Sequence, residues 1–347
     1  MPKAEMVAQA NSLLSDFTGS NKLGVLTPEQ EDKFRIDLFQ GSNFLSKVDL
    51  HLMDAPTKQI SYLKVDDNPL SSPNVTSTNR GVTRKGSESR GFTLETKLMR
   101  GSVRIPDETI DQNIQNGTLP DAVRALIARR VGNQLARFVF LGDTTIAGKT
   151  IADAEELRLT EYFGLQNGIY KLANGVNTAT NFQVSSADAW LPKDAPDLMS
   201  YSLPDRHLAD ATNNILFVTP IQFAKYKQLC LSTVASDYAF KYTPKTATEN
   251  EYVTTPTGFK VMPEHALTYA HAYTETGQSA VTFTQRTKGL FLNPEYVAVG
   301  MFMGGMEMTN HYDFDNWQMI INFQTYVGVN HHYTDNVVIG TGLKYTP

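Results

Sequence analysis

Between Pro69 and Gly91 the chain runs through Ser, Thr, Asn, Gly and Arg with scarcely an apolar side chain. On either side the pattern changes. Gln59-Ile60-Ser61-Tyr62-Leu63-Lys64-Val65 reads as a strand, and Phe92, Leu94, Thr96 and Leu98 resume an alternating strand beyond the polar run. Two strands bracketing such an excursion make a long hairpin. A structureless loop of about twenty residues is anomalous inside a compact domain, so this one is either disordered or docks onto something outside the chain. Its charge favours docking. From Arg80 to Arg104 there are seven bases (Arg80, Arg84, Lys85, Arg90, Lys97, Arg100, Arg104) and two acids (Glu88, Glu95). The segment is therefore +5 (7 − 2) in a chain of net charge −5, leaving −10 on the remainder. A cationic arm meeting an acidic face of another copy fits this asymmetry, as does a solvated basic loop.

The chain has 347 residues, room for about two domains and a sizeable core. With 41% hydrophobic and 19% charged residues it lies in the globular range, and a net charge of −5 argues against a protein whose main business is coating phosphates. One cysteine, Cys230, allows no internal disulfide and makes a Cys-based metal site a poor expectation. Met1-Pro2-Lys3-Ala4-Glu5 opens no apolar signal core, and no stretch approaches the ~18 apolar residues of a membrane span. A soluble protein without a targeting signal, made in a reducing cytoplasm, is expected.

Thr27-Pro28-Glu29-Gln30 carries the signals of a helix start and predicts a short helix through Phe34, Leu38 and Phe39. The strongest helix is expected over 119–141. Thr118-Leu119-Pro120-Asp121 is a capping-box variant, and Val123, Ile127, Val131, Leu135 and Phe138 recur as an amphipathic stripe. Gly142 is expected to close it as a C′ residue. Such a helix is about 34 Å long, a girder rather than a connector. Its other faces carry Arg124, Arg129, Arg130 and Arg137, which fit an ordinary solvated face or contact with nucleic acid or a neighbouring copy. Further on, Ile215-Leu216-Phe217-Val218 reads as a buried strand leading through Thr219-Pro220 into a helix with Phe223, Tyr226 and Leu229. A polar stretch from Thr243 to Thr257 precedes Gly258-Phe259-Lys260-Val261-Met262-Pro263, and the tail alternates at Met319, Ile321, Phe323, Tyr326 and Val329. Helices mixed with antiparallel strands indicate an α+β fold.

No motif assembles a reaction centre. Gly142-Asp143-Thr144-Thr145-Ile146-Ala147-Gly148-Lys149-Thr150 has five residues between its glycines where a phosphate-binding P-loop has four, and it follows a long helix rather than a strand. His331 and His332 are adjacent, so in a strand they face opposite ways and cannot chelate one ion together. His51, His207, His265, His271 and His311 form no metal-binding spacing. Asp313, Asp315 and Asn316 could hold calcium, although the EF-hand spacing and terminal Glu are missing. Met301, Met303, Met306 and Met308 suit adaptable packing in a strand pair. No enzyme activity and no cofactor are expected.

The order of these parts resembles the major capsid proteins of tailed double-stranded DNA bacteriophages, the Hong Kong 97-type fold. More specific similarity lies in Val218-Thr219-Pro220 with Tyr226, in Gly258 to Pro263, and in Gly289-Leu290-Phe291-Leu292-Asn293-Pro294-Glu295-Tyr296-Val297-Ala298-Val299-Gly300. The resemblance implies an N-terminal arm with a short helix over 1–55, an E-loop hairpin over 56–104, a peripheral domain over 105–200 containing the spine helix 119–141, and an axial domain over 201–347 whose strands return to the peripheral domain. It implies a structural protein assembling into hexamers and pentamers of an icosahedral head enclosing double-stranded DNA. Arg80, Arg84, Lys85 and Arg90 would serve the E-loop in its contact with a neighbouring copy; Arg124, Arg129, Arg130 and Arg137 would face DNA or a neighbour. Implied partners are further copies of itself, portal and scaffolding proteins, a decoration protein in some relatives, and packaged DNA through non-specific contact, with no membrane. Assembly would occur in the host bacterial cytoplasm and the protein would reside in the virion. An encapsulin-like nanocompartment shell is the alternative.

Overall fold

The computed structural model describes residues 42–64, 88–106, 119–175, 180–183, 190–208, 211–231, 240–246, 250–274, 279, 281–284, 288–302, 307–313, 316 and 318–344. The short helix expected from Thr27 lies outside these residues, as does the tip of the polar excursion.

In chain order the elements are β1 (Asp49–Met53), β2 (Thr57–Lys64), β3 (Glu88–Glu95), β4 (Lys97–Pro106), α1 (Leu119–Leu141), α2 (Ala154–Gly164), α3 (Ile169–Gly175), β5 (Thr180–Gln183), α4 (Ala195–Ser200), α5 (Asp205–Leu208), β6 (Ile215–Val218) and α6 (Pro220–Leu231). There follow β7 (Lys241–Thr243), β8 (Tyr252–Thr254), β9 (Lys260–Pro263), β10 (Ala270–Tyr273), β11 (Val281–Thr284), β12 (Gly289–Leu292), β13 (Val297–Phe302), β14 (Glu307–Asp313), β15 (Gln318–His331) and β16 (Val337–Thr341). Helices and largely antiparallel strands are intermingled along the chain, as the sequence predicts.

A seven-stranded sheet runs in the order β5-β16-β12-β6-β9-β8-β7. Its central strands explain the uninterrupted apolar runs, because both faces are covered. Ile215 and Phe217 of β6, Leu290 and Leu292 of β12, and Val337 and Ile339 of β16 face the main core. Leu216, Val218, Phe291 and Val338 turn the other way, into a second core with Met199 of α4 and Phe223 and Tyr226 of α6. The polar stretch after Thr243 supplies β8, and Gly258, at φ +100°, turns the chain from β8 into β9.

The second sheet is organised by β15, a strand of 14 residues. Along one edge β4 pairs with Gln318–Val327; along the other β14 pairs with Gln318–Gln324 and β13 with Val327–His331. The edge strand β1 runs parallel to β13, Asp49 opposite Ala298 and His51 opposite Gly300. The alternation of β15 keeps the phase read from Ile321, Phe323 and Val329, and Tyr326 departs from it. Ile321, Thr325, Val327, Val329 and His331 are buried on one face, whereas Tyr326 is on the other and packs edge-on against Phe302 at 5.7 Å. Strict period-two geometry places Thr325 inward despite its hydroxyl.

Helix α1 occupies the range expected. Leu135 and Phe138 of its stripe are buried and Val131 packs against the core, but so are Ala136, Val139, Phe140 and Leu141, so its last turn is enclosed all round. Gly142 departs from the expected role, since the positive-φ glycines among the described residues are Gly148, Gly258 and Gly342. It is instead a close-approach position. A Cβ there would collide with the Gln166 carbonyl and come within 2.9 Å of Gly168 N. The Gly168 N–H donates to the Gly142 carbonyl at 2.7 Å, fastening the helix end to the start of α3.

The last part of the segment read as an arm is built into this core. Phe44 is fully buried, 4.5 Å from the ring of Phe140 and 5.1 Å from that of Phe217, and Leu45 is buried beside it. Burying two large apolar side chains contributes about 1.5–3 kcal/mol each, which ties residues 42–53 to the body of the fold.

Candidate functional site

Three groups of residues could carry function. The first is the hairpin β2–β3, an antiparallel ladder with Thr57 opposite Glu95 and Lys64 opposite Glu88. Its base is fastened to the second sheet. Leu94 is buried with Met53 and Ala298, Asn330 Nδ2 donates to the Thr93 carbonyl at 3.0 Å, and Thr96 donates through N and Oγ1 to the Pro56 carbonyl at 2.8 and 2.9 Å. Two glycines make room for this crossing: a Cβ at Gly300 would fall 2.7 Å from Leu94 and Met53, and one at Gly328 would collide with the Glu95 carbonyl. Of the basic residues singled out, Arg90 lies in β3 opposite Tyr62. Arg80, Arg84 and Lys85 are outside the described residues.

The second group is the arginines of α1. Arg124 lies within the helix; Arg129 and Arg130 are exposed. Arg137 behaves differently. It is half-buried, with its guanidinium 4.5 Å from the centre of the Tyr269 ring, so this cation is engaged within its own chain. A groove of about 450 Å³ over the paired strands β4 and β15, bounded by Arg100, Gln324 and Arg158 of α2, adds two further cations near the surface.

The third group consists of histidines and acids. His331 and His332 do face opposite ways. His331 is buried, its Nδ1 accepting from Tyr333 N at 3.1 Å, and burial together with His332 and His207 pushes its pKa down to about 3. His207 Nε2 meets Asp335 Oδ1 at 3.2 Å in the interior. His332 turns towards β1, where its ring-donor atom and those of Asp49 and His51 all lie within 4.8 Å of one another. This triad joins residues 281 positions apart (332 − 51) and escapes motif reading. The one sequence signal for it is Asp49-x-His51, two side chains on the same face of a strand.

The other motifs have structural employment. In the P-loop-like stretch, Asp143 caps a short 3-10 turn, accepting from Thr145 N at 2.9 Å and Thr145 Oγ1 at 2.7 Å, with Lys171 Nζ at 3.2 Å. Burial alone would raise this carboxyl, but the Thr145 and Lys171 bonds hold it below its ordinary value. Asp313 Oδ2 accepts from Asn316 Nδ2 at 2.8 Å and Gln318 Nε2 at 2.9 Å, closing the turn between β14 and β15; Asp315 lies outside the described residues. Cys230 is buried, which pushes its thiol up, the opposite of an activated nucleophile. Met301 is fully buried in β13. No helix among the described residues is long and apolar enough to cross a membrane.

Neither a family model nor a curated protein sequence matches the chain. The arrangement of its elements nevertheless defines a class, for it has the fold of phage capsid proteins. One similar structure is the satellite phage P4 procapsid including its size determination protein, with TM-score 0.58 and 9% identity over 91% of this chain and all of that one. Another is the capsid of an empty GTA particle, with TM-score 0.52 and 12% identity over 96% of this chain and 97% of that one. Identities this low carry the fold and leave the side chains to be read on their own.

Proposed function

We propose that this chain is the major capsid protein of a phage head, copies of which assemble as hexamers and pentamers into an icosahedral shell around double-stranded DNA. The observation that carries the reading is the match of nearly the whole chain, 91% and 96% of it, to capsid structures that are themselves matched over 97% or more of their length. A shared fold alone is an argument by analogy. The sequence supports it independently, since the residues joining the two strands of the anchored hairpin are polar and cationic while the remainder of the chain is oppositely charged.

In this reading 56–104 is the E-loop laid across a neighbour, 105–200 and 201–347 are the peripheral and axial domains, and Arg129 and Arg130, with Arg124, turn to DNA or an adjoining copy. Portal and scaffolding proteins are the expected partners, a decoration protein is an optional one, and the virion is the place of residence. An exposed ion pair contributes at most ~1 kcal/mol, but a shell repeats each contact hundreds of times over, so small terms accumulate. Arg84→Glu, Lys85→Glu and Arg90→Glu together should leave the chain folded by circular dichroism while reducing particle counts in electron micrographs, more so at low salt. Normal heads from this triple variant would rule out an electrostatic clamp, and an unfolded chain would place the loop in the core.

A further inference from the structure

We infer that Asp49, His51 and His332 form a binding site for a divalent transition metal of the zinc class, clamping β1 to the end of β15. The ligand chemistry is two imidazoles and one carboxylate, a set that suits zinc. Asp49 and His51 are two apart on β1 and share a face, while His332 follows the end of β15, one strand away across β13, where His331 is opposite Val297 and Asp49 opposite Ala298.

The present geometry is close to what an ion needs. Asp49 Oδ2 lies 3.0 Å from His51 Nε2, and all three donor atoms lie within 4.8 Å of one another. Tetrahedral zinc with bonds near 2.0–2.1 Å holds its ligands about 3.4 Å apart, so no pair has to close by more than about 1.4 Å. Asp49, on an edge strand with its side chain 49% exposed, has the freedom to make that adjustment.

A second observation concerns satisfaction of polar atoms. The Nε2 atom of His51 is shut off from solvent, and although Asp49 Oδ2 is near, the approach lacks the direction a hydrogen bond requires. A buried ring nitrogen in that condition costs about 1–3 kcal/mol unless something coordinates it. The Nε2 of His332 is equally shielded, with the Phe92 ring packed edge-on against its imidazole at 4.5 Å, which fixes the ring's orientation. The half-exposed carboxylate side leaves a fourth position open to water. Because Phe92 belongs to β3, a metal here would stiffen the base of the β2–β3 hairpin as well as β1.

The test is titration of zinc chloride into the metal-free full-length chain by calorimetry, with cobalt(II) absorption as a second readout of coordination. One zinc per chain is expected, with the intense visible bands of tetrahedral cobalt. Loss of a ligand should weaken binding by more than the roughly 10–100-fold that loss of an outer-shell partner costs, so H51A/H332A should abolish the titration. D49N, a change at an exposed side chain that leaves the fold intact, should weaken it at least about 10-fold if the double variant does not fold. Absence of binding by the wild-type chain, or undiminished binding by folded H51A/H332A or folded D49N, would overturn the assignment. The outcome is separate from that of the shell reading, which particle counts decide.

Discussion

The carboxylate of Glu264 accepts a hydrogen bond from the backbone N–H of Phe44 at 2.8 Å, across 220 positions of sequence. Ser42 Oγ donates to the same oxygen, Oε2, at 3.0 Å, and Ala266 N to the other, Oε1, at 3.0 Å. One buried acid thus fixes the segment entering β1 against the end of β9. Glu264→Ala would leave the Ala266 amide without an acceptor, at about 1–3 kcal/mol, and the Phe44 amide with only its longer bond to Ser42 Oγ at 3.3 Å. Urea unfolding should show a loss of that size, with residues near Phe44 becoming the first to lose protection from hydrogen exchange.

Burial raises the Glu264 carboxyl above its ordinary value, only partly opposed by the bonds from Ala266, Phe44 and Ser42. A raised acid binds its proton more tightly folded than unfolded, so its contribution to stability is complete below the ordinary carboxyl range and declines as pH rises through the folded value. The stability difference between wild type and Glu264→Ala should therefore be largest near about pH 4 and smaller at neutrality.

His331 has the opposite sign. Its folded pKa of about 3 lies far below 6.5, so the native state excludes a proton that the unfolded chain takes up. Its contribution to stability is present above pH 6.5 and is lost as pH falls towards 3, by up to about 1.4 kcal/mol per pH unit. His331→Phe should flatten the acid limb of a stability-versus-pH curve measured by urea unfolding. An unchanged acid limb would show that His331 is not the group being protonated.

On α1 and α6, burial separates residues that look alike in sequence. Phe138 is 1% exposed and in contact distance of the Tyr162 ring, 5.3 Å between centres, whereas Leu229 is 39% exposed. Phe138→Ala should cost about 3–5 kcal/mol, and Leu229→Ala should stay within about 0.5 kcal/mol. Chemical denaturation of the two variants side by side checks both.

The parts legible in the sequence are those where one local pattern answers to one environment. Helix α1 declares itself through capping residues and a long stripe, and β6 through a short apolar run that means burial on both faces. The phase of β15 is legible at Ile321, Phe323 and Val329 but not at Tyr326, because the inward place beside it goes to Thr325, set by its register with Met99 of β4 rather than by hydrophobicity. β1 hides in a segment that looks like an arm, since Asp49 and His51 are polar and its pairing with β13 joins strands some 250 residues apart. Arg137 reads like its neighbours on the helix, and only the placement of Tyr269 draws it inward. The Asp49–His51–His332 cluster is illegible for the same reason, being assembled by topology and not by spacing.

Shell formation is decided by sedimentation velocity and electron microscopy of the purified protein. Ring-shaped capsomers and closed particles of uniform diameter are expected, with the 56–104 hairpin of each copy seated on its neighbour in a reconstruction. A folded chain that stays monomeric at every concentration reached would contradict it.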